Sequence, residues 1–139
     1  MLDNILIGFG MAGLSCTVVT AFIIIAARWL NRHAPRFLAG SAMGPLFLSI
    51  VGVVFWLLLA LGVTVALWAG LFLRLDLFTG WEPALYFTTV TITTLGYGDI
   101  ILPAEHRLLT GFLATNGLIL FSMSTAFLIE FLRRVLDVR

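Results

Sequence analysis

Three uncharged, apolar stretches of the chain are each long enough to cross a lipid bilayer. They cover residues 5–27, 46–73 and 108–129, which are 23, 28 and 22 residues long. A bilayer core of about 30 Å requires roughly 20 apolar residues in a helix. Because 61% of only 139 residues are hydrophobic, a soluble domain could not bury this much apolar surface. The stretches therefore predict an all-α integral membrane protein with three transmembrane helices.

The same pattern divides the chain into three parts, which are a first transmembrane helix over 1–30, a linker over 31–45 and a larger module over 46–139. Within the module we expect an outer helix over 46–73, a short helix over 81–93, an irregular segment over 94–98 and an inner helix over 108–132. At 1.5 Å per residue the short helix measures roughly 20 Å, which is too little to cross a bilayer. It must re-enter, and irregular backbone at that depth requires surrounding protein or a wet cavity.

The basic residues, all of them arginine, are placed unevenly along the chain. Six follow the first or the last helix: Arg28, Arg32, Arg36, Arg133, Arg134 and Arg139. Only Arg74 and Arg107 lie near the opposite ends of the spans. Basic side chains favour the cytoplasmic side, so we expect a multi-pass protein of the cell membrane with its N-terminus outside and its C-terminus in the cytoplasm. The net charge of +1 gives no reason to expect a nucleic-acid partner.

The irregular segment reads Thr94-Leu95-Gly96-Tyr97-Gly98. Successive carbonyl groups of an ordinary strand point to opposite sides, and turning all of them to one side requires alternating backbone handedness. Glycine supplies the left-handed conformation at little steric cost, and Gly96 and Gly98 are placed for it. Leu95 and Tyr97 can then direct their side chains into a supporting wall, while the Thr94 hydroxyl adds one more oxygen. The segment predicts stacked oxygen rings able to replace the hydration shell of a potassium ion.

This segment and its surroundings resemble the pore of the potassium channel family, in which the filter reads T-V-G-Y-G. The resemblance covers residues 81–132 and points to the bacterial type with one pore loop between two transmembrane helices, here with an extra N-terminal helix. It implies passive, selective K⁺ conduction, with no enzymatic chemistry and no cofactor besides the permeant ion. One chain carries one filter, so a closed ring needs several copies, and the resemblance implies four of them, a homotetramer in membrane lipid. The expected location is a bacterial inner membrane.

The resemblance also assigns supporting residues. Relatives hold the aspartate after the filter, here Asp99, by a tryptophan or glutamate of the pore helix, but the corresponding positions are Phe87 and Val90. Gly117 of the inner helix is expected either to act as a gating hinge or to allow close helix packing. Asn116 is expected either to face the central cavity or to hydrogen-bond another helix.

Two other functions fit the same sequence. One is a weakly selective cation channel, although Tyr97 speaks against it because poorly selective relatives often replace that residue. Leu95 in place of valine is expected to alter packing and to leave ion coordination intact. The other is a regulatory or assembly subunit that does not conduct alone, for which the extra helix leaves room.

Residues 8–13 match the G-x-G-x-x-G pattern of dinucleotide-binding folds. That fold also needs an acidic residue about 20 positions later, whereas none occurs between Asp3 and Asp76. Small residues recur instead at every fourth position, at Gly8, Ala12, Cys16 and Thr20. This spacing predicts a helix face that another helix can approach closely.

Overall fold

The computed structural model describes residues 2–37 and 43–137, with side chains described for 2–32 and 44–134. Four helices form it: α1 (Leu2–Phe37), α2 (Met43–Arg74), α3 (Trp81–Ile92) and α4 (Arg107–Asp137). The described residues contain no strand. Three of the helices are long and apolar enough to cross a membrane, over Leu2–Arg32, Gly44–Arg74 and Arg107–Arg134. The predicted all-α membrane fold is confirmed.

The expected linker over 31–45 is wrong in its bounds. Helix α1 continues to Phe37 and α2 begins at Met43, so the connection between them, residues 38–42, lies outside the described residues. The reason is that polar residues such as Asn31 and Arg32 end the apolar span without ending the helix. Hydropathy marks where a helix leaves the hydrocarbon, whereas helix ends follow backbone propensity and capping.

Helices α1 and α4 run parallel and are joined at both ends. Near the start of α1, the Asn4 side-chain amide donates a hydrogen bond to the backbone carbonyl of Glu105, just before α4. Near the other end of both helices, the Arg134 guanidinium donates to Asn31 Oδ1 at 3.3 Å. The arginine-rich ends of α1 and α4 therefore lie together at one end of the bundle.

Helix α2 runs antiparallel to α1, as two indole groups show. Trp68 Nε1 donates to Ser15 Oγ at 3.1 Å, and Trp56 Nε1 donates to the carbonyl of Phe22 at 2.9 Å. Helix α3 packs on α2 and α4, and these two helices also contact each other and α1. Within the described residues α1 does not contact α3, so α2 and α4 separate the first helix from the short one.

The predicted small-residue face of α1 is partly right. Gly8 is buried, and a Cβ atom there would overlap the ring of Phe112 on α4. Cys16 is half-buried, but Thr20 is exposed because the buried face passes through Ser15 instead. Close approach of helices at small residues is a common way to pack membrane helices, and here it joins α1 to the inner helix.

The short helix α3 enters the bundle and stops inside it. It follows Gly80, which has an extended backbone and makes no side-chain cap, and Glu82 lies in its first turn. Its last residue, Ile92, packs against Gly117, which lies ten residues after Arg107 at the start of α4 and hence about 15 Å along that helix. The chain then returns to the start of α4 through the buried Leu102. This is the re-entrant path that its length predicts.

Candidate functional site

The backbone after α3 alternates in handedness. Thr94, Gly96 and Gly98 have positive φ angles of 60°, 54° and 76°, and Leu95 and Tyr97 between them do not. The two glycines occupy the positions where the sequence analysis expected the left-handed conformation. Thr94 adopts it as well, although it carries a β-branched side chain for which that region is strained.

Backbone amides at the start of this segment point towards α3. The amides of Leu95 and Gly96 both donate to the carbonyl of Val90, at 3.0 and 3.1 Å, and the amide of Thr94 donates to Thr91 at 2.9 Å. These bonds use carbonyl groups that the end of α3 would otherwise leave unpaired. Among the described residues, none donates a hydrogen bond to a carbonyl oxygen of residues 94–98. The segment thus presents a row of main-chain oxygens without partners.

The segment is uncovered in a single chain. All residues from 93 to 99 are exposed, and the side chains of Leu95 and Tyr97 retain 55% and 69% of their accessible surface. In one chain these two side chains meet no supporting wall, and the expectation that they enter one in an assembled pore stays a prediction. A recess of about 450 Å³ lies between α3, the segment and α4, lined among others by Phe87, Thr91 and Arg107, and no side chain of the segment fills it.

The carboxylate of Asp99 is held by Tyr86 of α3. The Tyr86 hydroxyl donates to Asp99 Oδ2 at 2.7 Å. This bond stabilises the charged carboxylate and so lowers the pKa of Asp99 below its usual range, against a smaller opposing effect of burial. The same bond raises the pKa of the Tyr86 hydroxyl, because ionisation would remove the donor and place two negative charges side by side. The pair ties the end of the irregular segment back to α3.

Sequence reasoning missed this partner by one position. Phe87, which the resemblance aligned with the anchoring residue, is buried and packs against Phe72 and Phe78, with ring centroids 5.5 and 5.4 Å away. Tyr86, its neighbour, points to the other side of α3 and is exposed. A hydroxyl-bearing aromatic residue 13 positions before the aspartate was the available signal.

Thr89 of α3 and Thr93 directly after it bond back to carbonyl groups of the helix, as expected for this residue type. The hydroxyls of Thr89 and Thr93 donate to the carbonyls of Leu85 and Thr89 at 2.8 and 2.7 Å. Thr88 differs, because its buried hydroxyl has no hydrogen-bond partner among the described residues. Thr94 remains the threonine to which we assign an ion role, and this role is a prediction.

Gly117 allows a close approach between α4 and the end of α3. A Cβ atom at this position would overlap the carbonyl oxygen of Ile92 and lie 2.8 Å from its carbonyl carbon. Both obstacles are backbone atoms, which cannot rotate out of the way. The packing role expected for Gly117 is therefore present, and its hinge role stays a prediction.

Asn116 faces the first helix. Its side chain is 1% exposed, and its Oδ1 accepts a weak bond from the Cys16 thiol at 3.9 Å. Of the two roles expected for Asn116, the structure supports contact with another helix, and the cavity role is wrong for this arrangement. Its Nδ2 has no partner in the described part of the chain.

A re-entrant helix, an irregular segment of unpaired carbonyls and two flanking apolar helices define the pore loop of a membrane channel. The sequence model of the family described as "Ion channel" matches residues 51–134. This range spans most of α2 and all of α3 and the irregular segment, as well as most of α4. The chain belongs to the ion channel family and is a multi-pass membrane protein with ion channel activity.

No curated protein and no solved structure matches the chain. The family match excludes α1, so the first helix is an addition to the shared module.

Proposed function

We propose that this chain conducts potassium ions selectively and passively as a homotetramer. The main-chain oxygens of residues 94–98, with the Thr94 hydroxyl, take the place of water around K⁺. The observation that carries the proposal is the alternation of backbone handedness at Thr94, Gly96 and Gly98, in a segment whose carbonyl oxygens accept no hydrogen bond from the described residues. Rings of such oxygens are the coordination that potassium filters use.

Several copies are needed because one chain leaves the segment uncovered. Irregular backbone at membrane depth is stable only within protein or beside water, yet residues 93–99 are exposed. In the proposed tetramer the carbonyl groups face a shared axis, and side chains of a neighbouring copy fill the recess behind the segment. Cyclic symmetry satisfies every such interface with the same surface.

Helix α4 supplies the wall of the pathway below the filter. Its exposed residues recur with a spacing of three and four along one face, at Thr115, Leu118, Ser122, Thr125 and Ile129. The C-terminal end of α3 points into the bundle beside this face, and the partial negative charge of a helix C-terminus favours a cation there. We place this face towards the axis, with α2 outside it.

The proposed orientation follows from the arginines. Their common position at one end of α1 and α4 supports a cytoplasmic location for that end and an outward-opening pore loop. A bacterial inner membrane remains the proposed location.

The test is ion flux through the purified 139-residue chain in liposomes. We expect barium-sensitive K⁺ efflux, a bi-ionic reversal potential that favours K⁺ over Na⁺ strongly, and the mass of four chains by native mass spectrometry. Comparable K⁺ and Na⁺ permeability would instead establish a weakly selective cation channel. A folded, correctly inserted chain without flux would establish the subunit that does not conduct alone.

A further inference from the structure

An apolar cleft of about 610 Å³ lies between α1 and α2, near the arginine-rich end of the bundle. Its lining residues are Ile25, Ala26, Trp29, Gly44, Pro45, Leu48, Ser49, Gly52, Val53 and Trp56. Exposed Ile25 and Leu48, with 52% and 71% of their surface accessible, flank the cleft on the two helices. The bond from Trp56 Nε1 to the carbonyl of Phe22 fixes one wall.

The cleft owes its room to missing side chains. A Cβ atom at Gly44 or Gly52 would meet no atom within 4 Å, so the space beside these residues is open. Helices in membranes usually pack closely against each other at small residues. Here two glycines of α2 face α1 across an open space.

A cationic recess of about 580 Å³ adjoins the cleft and shares Ile25 and Trp29 with it. The recess is otherwise lined by Arg28, Asn31 and Arg32. Both arginines are exposed, and neither makes an ion pair with a residue that the structure describes. An apolar cleft therefore opens beside two positive charges that no carboxylate of the described side chains neutralises, at the depth where a transmembrane helix meets the headgroup region.

We propose that this composite site binds one anionic glycerophospholipid from the leaflet at the arginine-rich end. An acyl chain occupies the cleft beside Gly52 and Trp56, and the phosphate lies between Arg28 and Arg32. The occupant is identified by charge complementarity, because the apolar part alone would accept any acyl chain, whereas two guanidinium groups without an ion pair among the described residues select a negative headgroup. The inference does not depend on which ion the pore conducts.

Two tryptophans in the lining allow a direct test with phospholipids that carry brominated acyl chains, which quench tryptophan fluorescence on contact. The starting protein is the full chain with Trp81→Phe, which removes the exposed tryptophan near the opposite end of the bundle. Trp68 is fully buried and out of contact with lipid, so quenching reports Trp29 and Trp56. The protein is placed in phosphatidylcholine vesicles with increasing fractions of brominated phosphatidylglycerol or brominated phosphatidylcholine.

We expect phosphatidylglycerol to quench at several-fold lower mole fraction than phosphatidylcholine. Arg28→Gln and Arg32→Gln should each reduce this preference by up to about fivefold, the effect of one basic residue on an anionic lipid. Arg74→Gln, at the other end of α2, is the matched control and should change nothing. Equal quenching by the two lipids, or an unchanged preference in the double arginine variant, would overturn the proposal.

The cleft itself is tested by Gly52→Leu, which fills the open space without meeting other atoms. This variant should remove the quenching that brominated phosphatidylglycerol causes at low mole fraction. Gly62→Leu, a change of the same kind at an exposed glycine of α2 with nothing within 4 Å, should retain it. If Gly52→Leu is still quenched at low mole fraction of brominated phosphatidylglycerol, the lipid lies elsewhere. If that variant does not fold, the arginine pair decides alone.

Discussion

The two faces of α4 differ in what covers them. On one face Leu109, Leu113 and Leu120 are almost fully buried by helices of the same chain. On the other face Leu118, Ser122 and neighbouring residues are exposed, beside an equally exposed filter segment. The first face is complete in one copy, whereas in the proposed tetramer the second face acquires its partners from neighbouring copies. Residues of the first face hold the subunit together, and residues of the second would line the proposed pathway.

The largest expected effect is on the uncovered face, for Gly96→Ala. A left-handed conformation costs a non-glycine residue about 1–2 kcal/mol, and the proposed ring of four chains would incur that cost four times. We expect K⁺ flux in liposomes to fall at least about 100-fold, since each 1.4 kcal/mol corresponds to about tenfold. Because residues 93–99 are exposed in the single chain, the altered segment can relax out of the strained conformation, and the thermal stability of the subunit should change little.

The control for this variant is Gly62→Ala, at a helical glycine with open space around it. Its flux should equal that of the unaltered chain. Normal flux through Gly96→Ala would show that left-handed backbone at this position is not required for conduction.

The next largest effect concerns the covered face, for Gly117→Ala. The added methyl group overlaps the Ile92 backbone, and overpacking of this kind typically costs about 1–3 kcal/mol. We expect a lower midpoint of thermal unfolding in detergent. Gly111→Ala, on the same helix with nothing within 4 Å of its Cβ, should leave the midpoint unchanged or raise it slightly.

The same pair of variants separates the two roles of Gly117. Unchanged stability combined with altered channel opening would identify a hinge, and lower stability identifies packing. Both results together would show that one glycine serves both purposes.

A smaller effect is expected between α1 and the pore module, for Ser15→Ala. The change removes the acceptor of the buried Trp68 indole, and such bonds between membrane helices contribute about 0.6 kcal/mol on average. Thr17→Ala is the matched control. The hydroxyls of Ser15 and Thr17 each donate to a carbonyl group four residues earlier in α1, but Thr17 is exposed. Unfolding by sodium dodecyl sulfate should distinguish the two, and equal stabilities would contradict a role for Ser15 in joining the helices.

The smallest effect on stability is expected for Tyr86→Phe, because both Tyr86 and Asp99 are exposed. The variant should return the pKa of Asp99 towards its ordinary value, which is measurable by carboxyl-selective NMR titration. In the unaltered chain the lowered pKa means that the contact contributes fully above the ordinary carboxyl pKa and is lost as pH falls through the lower folded value. The pKa of Tyr86 is raised, so on the alkaline side the contact contributes fully below the ordinary tyrosine pKa and is lost as pH rises through the higher folded value.

The functional readout of Tyr86→Phe is the persistence of flux. Without its tie to α3 the end of the filter is less constrained, so flux at neutral pH should decline faster during sustained conduction. Identical decay in both proteins would show that the contact does not support the filter.

Much of the fold was predictable because membrane spans depend on a local property. Uncharged runs located three helices, and a stretch too short to cross located the fourth. The left-handed backbone was predictable at Gly96 and Gly98 because glycine tolerates positive φ, but not at Thr94, because β-branched residues rarely adopt that conformation.

Contacts between elements were harder to predict. Tyr86 and Phe87 are adjacent, and which of them reaches Asp99 depends on the rotation of α3, which composition does not determine. Asn116 was equally ambiguous, because helical periodicity cannot say which face of α4 the extra helix α1 covers. In both cases the missing information was the position of a neighbouring helix.

The parallel pairing of α1 with α4 has a mechanical consequence. A helix joined to its neighbour near both ends, through Asn4 and Arg134, cannot tilt alone, so any swing of the pore wall moves two helices through the bilayer. The displaced lipid area is correspondingly larger than for a bare two-helix subunit. In the proposed channel, lateral tension and bilayer thickness would thereby enter the energetics of opening through a helix that lies outside the pore loop.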